Sequence, residues 1–87
     1  MKKKKEEPII LGLFPDNMMA PVESSNLKRV GHDPKKKILQ VEFHNGAIWN
    51  YTPVSTPLYN NFLVADSKGV FFNAKIKNIC NAEKIKG

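Results

Sequence analysis

Trp49 and Tyr51 stand two residues apart, so an extended chain puts both rings on one face. Aromatic rings on a sheet face of a basic chain can stack nucleobases, at about 1–3 kcal/mol per base. Gln40, Glu42 and His44 lie just upstream and offer hydrogen-bonding groups for base edges. Lys28, Arg29, Lys35, Lys36 and Lys37 flank Asp33-Pro34, and Lys75 and Lys77 extend the basic patch. Such a patch suits phosphate, and binding would weaken with salt by a log–log slope of about −0.7 per phosphate on a single strand. The plainer readings are a solvated loop for the lysines and core packing for the rings.

Metal and enzyme chemistry find little in this sequence. His32 and His44 are the two histidines, and neither has the neighbours of a three- or four-ligand site. No metal and no cofactor are expected. Ser24, Ser25, Ser67 and Cys80 have no histidine at a catalytic spacing, and there is no glycine-rich phosphate loop. Ser24-Ser25 reads better as a turn and Ser67 as a helix end. The chain is expected not to be an enzyme.

A second recognition surface lies near the start. Ile9, Ile10, Leu11, Leu13 and Phe14 fall between Pro8 and Pro21. This apolar segment docks either on the chain's own domain or on a protein partner, a second copy included. Lys2 to Lys5 precede it as a basic arm.

Composition bounds these readings. The chain has 87 residues, 14 Lys and Arg against 8 Asp and Glu, and a net charge of +6. That length holds one small domain, and the charge favours polyanions: RNA first, single-stranded DNA second. A single cysteine excludes an internal disulfide and suits a reducing compartment. The apolar run from Ile9 to Phe14 is too short for a signal core or a membrane span, so a cytoplasmic location without membrane contact is expected.

The elements that must position these residues follow from patterning. Leu27 to His32 reads as a strand, Asp33-Pro34 as a turn, and Ile38 to Phe43 alternates apolar and polar with period two. Asn45-Gly46 signals a hairpin, and Ala47 to Thr52 returns. Pro53 ends the ladder. Ser55 or Thr56 caps a helix, with Pro57 in its first turn and Leu58, Phe62 and Ala65 on one stripe. Gly69 marks its end, Val70 to Phe72 extends, and a last short helix follows Asn73.

The hairpin register decides the chemistry. A two-residue loop at Asn45-Gly46 pairs Glu42 with Trp49 and Gln40 with Tyr51, and leaves both rings on the open face among polar groups. A three-residue loop with Gly46 as a bulge pairs Val41 with Trp49 and Leu39 with Tyr51, and sends both rings under the helix. One residue of slip exchanges the two faces. The sequence leaves both registers open.

With the elements placed, an ordered set of residues stands out: Val22-Glu23-Ser24-Ser25-Asn26-Leu27, Val30-Gly31-His32-Asp33, Leu39, Val41, Phe43 and Gly46, Trp49-x-Tyr51, then Ala65, Ser67, Gly69, Phe71-Phe72-Asn73 and Ile76-Lys77. This set closely resembles the KTSC domain, a small domain at the C-terminus of some lysyl-tRNA synthetases and a single-domain protein in bacteria and phages. The resemblance covers residues 22–79. Trp49 replaces the first tyrosine of the family's Tyr-x-Tyr signature, and His32 stands where a tyrosine usually precedes Asp33. The synthetase context implies RNA binding.

The expectation is an α+β domain: a three-stranded antiparallel meander on one helix, with a short helical, basic tail. Residues 1–21 form an N-terminal extension, 22–79 the domain and 80–87 the tail. The expected function is a non-enzymatic nucleic-acid-binding module; the alternative is a protein-interaction module using the N-terminal segment or the open sheet face.

Overall fold

The structure is a computed structural model that describes residues 12–87. Lys2 to Lys5, Ile9, Ile10 and Leu11 lie outside the described residues, and with them the whole basic arm and three of the five apolar residues of the segment.

The period-two stretch forms β3 (Ile38–Phe43), between β2 (Leu27–Asp33) and β4 (Ile48–Thr52). Two further strands correct the expected meander. β1 (Ala20–Pro21) pairs antiparallel with β2, and β5 (Asn81–Lys86) pairs antiparallel with β4. The sheet therefore has five strands in chain order, β1 to β5. The short helix expected after Asn73 stands as a π-helical turn at Asn73–Lys77, while the residues expected as a basic tail complete the sheet. Their mostly exposed side chains carry no apolar alternation, so the backbone ladder to β4 defines the strand.

Two helices cross one face, where one was expected. Ser55 caps α1 (Thr56–Leu63), its side chain accepting from the Leu58 amide at 3.2 Å, with Pro57 beside the start. This helix stops at Leu63, short of Ala65, and Gly69 lies inside the next helix. Ser67 caps α2 (Lys68–Phe72), accepting from the Val70 amide at 3.3 Å. Val70 to Phe72 is thus helical, not extended. Its apolar pair Phe72 and Ile76, four residues apart, points one way into the core as α2 runs on through a π-helical turn at Asn73–Lys77.

The core lies between that sheet face and the helices. Leu27, Val30, Leu39, Val41 and Tyr51 come from the strands, Val54 from the loop, and Phe62, Phe72 and Ile76 from the helical layer; all are buried. His32 also faces this layer, stacked on Tyr59 at 4.6 Å with Nε2 donating to the Val54 carbonyl at 2.7 Å.

The second sheet face carries Arg29, Gly31, Gln40, Glu42, Ile48 and Asn50 by register. The chain's own residues 12–19 lie against it. The Gln40 side chain, 1% exposed, accepts from the Phe14 amide at 2.9 Å and donates to the Gly12 carbonyl and to Asn50 Oδ1. Gly31 makes room: a Cβ there would lie 2.5 Å from the Met18 carbonyl oxygen. Arg29 pairs with Glu42 at 2.7 Å and with Asp16 at 3.6 Å, and the Glu42 hydrogen bond, foremost, raises the arginine's pKa.

Candidate nucleic-acid interface

The β3–β4 hairpin settles the register. The loop is His44-Asn45-Gly46: the Gly46 amide donates to the Phe43 carbonyl, the Phe43 amide donates to the Ala47 carbonyl, and Gly46 sits at φ 92°. Positive φ there suits glycine. This is the three-residue loop with a glycine bulge. Val41 pairs with Trp49 and Leu39 with Tyr51. Both rings therefore share the helix-side face, and the two-residue alternative with its exposed platform is excluded. Asn45 serves this loop by accepting the Ala47 amide on Oδ1 at 3.0 Å.

The two rings have different fates. Tyr51 is core, edge-on to Phe72 with centroids 5.0 Å apart, and burial raises its phenol pKa. Trp49 is half-buried at the margin of the core, its ring 6.5 Å from that of Tyr51 with the planes 21° apart. Gln40 and Glu42, expected beside the aromatics, lie on the second face.

What the strands build is a cleft on the helix-side face beside the hairpin. Phe43, Trp49 and Tyr51 line it with Asn45, Ala82 of β5 and Lys77, and it encloses about 380 Å³. A second cleft of about 420 Å³ lies between the hairpin tip and α2. Its floor includes Leu27, Phe43 and Phe72, and its rim carries Asn26, His44, Asn45, Asn73 and Lys77. His44 is exposed, its Nε2 donating to the Ser24 carbonyl at 3.0 Å. Both volumes fall in the roughly 300–1,000 Å³ range of small-ligand sites. Apolar walls with a few convergent polar groups suit flat heterocycles.

The basic residues do not form one patch. Lys35, Lys36 and Lys37 occupy the β2–β3 turn, where Asp33 Oδ1 accepts the Lys35 and Lys36 amides. Lys28 lies near the other end of β2, about 20 Å away at strand rise. Arg29 is engaged in its ion pairs on the second face. Lys75 and Lys77 lie on the π-helical turn, and Lys77 alone of the expected lysines lines the clefts. The expectation of one basic end fails because a seven-residue strand separates residues that are close in sequence.

Sequence reasoning missed Asn26, Asn73 and Ala82. Asn73 read as a helix cap, Asn26 stood only within the family's set of residues, and Ala82 fell in the expected tail. Of the N-terminal partner-binding residues, Phe14 is half-buried against the chain's own sheet and Leu13 is more exposed beside it. Among the described residues, no three His, Cys, Asp or Glu side chains group to hold a metal ion, and no helix is long and apolar enough to cross a membrane.

Comparison with known proteins places this architecture. A protein of Stutzerimonas stutzeri is 41% identical over 56 residues, covering 64% of this chain and 79% of the relative. A protein of Tsukamurella paurometabola is 39% identical over 59 residues, covering 68% of this chain and 88% of the relative. The crystal structure of a KTSC domain protein from Yersinia pestis superposes with a TM-score of 0.72 at 35% identity, covering 77% of this chain and 94% of that one. The family model for the KTSC domain matches residues 23–79, which hold β2 to β4, both helices and the cleft residues Asn26, Trp49, Tyr51, Asn73 and Lys77. The chain belongs to the KTSC domain family.

Proposed function

We propose that the chain is a non-enzymatic module, acting in the cytoplasm, that binds single-stranded nucleic acid, RNA before DNA. The observation that supports it best is the aromatic cleft of Phe43, Trp49 and Tyr51 with Lys77 at its rim. A base stacks on Trp49, and the ammonium of Lys77 meets the adjoining phosphate. The net charge of +6 draws the strand in. Trp49 is the only tryptophan, so its emission reports on the cleft directly. Titration with single-stranded RNA and DNA oligomers at low salt is expected to quench it, and Trp49→Ala is expected to lose about 1–3 kcal/mol of affinity. Unchanged emission and unchanged fluorescence anisotropy of a labelled oligomer at every salt concentration would remove the proposal.

A protein-interaction reading draws on a different observation. Val64, Val70 and Ile79 are 79%, 67% and 70% exposed on the helical layer. An apolar partner would cover them. Substituting all three by serine leaves oligonucleotide binding intact and abolishes partner capture if this reading holds.

A further inference from the structure

The two clefts beside the hairpin share three lining residues, Phe43, Asn45 and Lys77. One cleft is lined by the aromatic residues Trp49 and Tyr51, the other by the exposed asparagines Asn26 and Asn73. We infer that they are successive subsites for two adjacent nucleotides of one strand, joined at Lys77; this rests on the nucleic-acid reading above.

The division of labour follows from the chemistry of each wall. Aromatic faces accept any base, because every base has a π-face. Carboxamides read edges: an asparagine donates and accepts side by side, the pattern that matches adenine. Asn45 already uses its Oδ1 on the Ala47 amide, which leaves its NH2 group to donate. The Asn73 carbonyl is taken by the Asn78 side chain at 2.9 Å, and the Asn73 side chain stays exposed at the rim. The aromatic subsite therefore holds a base of any identity, and the amide subsite selects among bases. The charge at the junction is what a linking phosphodiester requires. Lys77 is exposed, and neither salt bridge among the described residues engages it.

The test uses the full chain with adenosine, the dinucleotide adenylyl-adenosine, and hexamers of A and of U, followed by NMR chemical shifts and by Trp49 emission. The dinucleotide is expected to shift signals in both clefts and to bind at least tenfold more tightly than adenosine. Lys77→Gln is expected to lower the salt slope for the hexamer by about 0.7, one phosphate's worth, and to leave adenosine binding within twofold. Lys75→Gln, at a lysine lining neither cleft, serves as the control. Asn73→Ala is expected to narrow the A-over-U preference while sparing the Trp49 response. An unchanged salt slope in Lys77→Gln, or an equal loss for adenosine and dinucleotide, overturns the paired subsites and leaves nucleic-acid binding standing. Failure of the parent chain to bind either hexamer overturns nucleic-acid binding itself.

Discussion

Gly31 decides how closely residues 14–19 approach the second sheet face. Its missing Cβ would also fall 2.7 Å from Met19 Sδ and 3.1 Å from the Phe14 ring. Met19 can swing away, but the Met18 carbonyl is backbone. Gly31→Ala is expected to cost about 1–3 kcal/mol, as overpacking does, read as a lower urea midpoint. Gln40 beside it is a buried polar group whose amide is matched to two backbone groups and Asn50. Gln40→Leu keeps the volume but strands the Phe14 amide and the Gly12 carbonyl, with an expected loss of about 1–3 kcal/mol. Tyr51 and Tyr59 add a pH signature. Burial raises both phenol pKa values above the ordinary value of about 10. In the unfolded chain the phenols ionise first, so the folded state holds more protons above that pH. Burial raises the Cys80 thiol in the same way, from a lower ordinary value. The share of stability carried by these three groups is expected to be whole at pH 7 and to fall as pH rises through the raised values, the thiol first and the phenols after it; urea midpoints at pH 7 and pH 11 measure it.

At the scale of elements, the caps carry the helical layer. α2 and its π-helical extension are short, and short helices owe their persistence to packing and caps. Ser67→Ala is expected to cost about 0.5–2 kcal/mol, and Ser55→Ala a similar amount, each seen in thermal melts. These caps also explain what the sequence revealed. β2, β3, β4 and α1 were legible because alternation, a capping serine and a proline start all agreed. α2 was misread because Val70, Phe71 and Phe72 look like a strand until Phe72 and Ile76 are seen as one helical face. β5 was invisible because an edge strand can be held by its backbone alone. Both ends of β2 carry lysines, and only the strand's length shows that they cannot act together. The hairpin register needed the structure, since Asn-Gly fits two turn geometries that place Trp49 and Tyr51 on opposite faces.

For the whole molecule, the sheet has a layer on each side: two helices on one face and the chain's own residues 12–19 on the other. The second layer is thin. Deleting residues 1–20 uncovers Gln40 and Ile48 and removes the Asp16 partner of Arg29. The deletion is expected to lower the unfolding midpoint clearly while leaving the Trp49 cleft, on the opposite face, able to bind oligomers. A deletion with an unchanged midpoint would make the segment a free arm.

The strand order has one more implication. A five-stranded row has two outer rims, and unpaired rims invite other chains to add on. Here one rim is β1, two residues long and ending in Pro21, which has no amide to offer. The other is β5, which carries Glu83, Lys84 and Lys86. Both rims are blunted by the devices that keep sheets from growing into fibrils. Concentrated solutions of the chain should therefore resist thioflavin-positive aggregation, and ligands are left the clefts as places to bind.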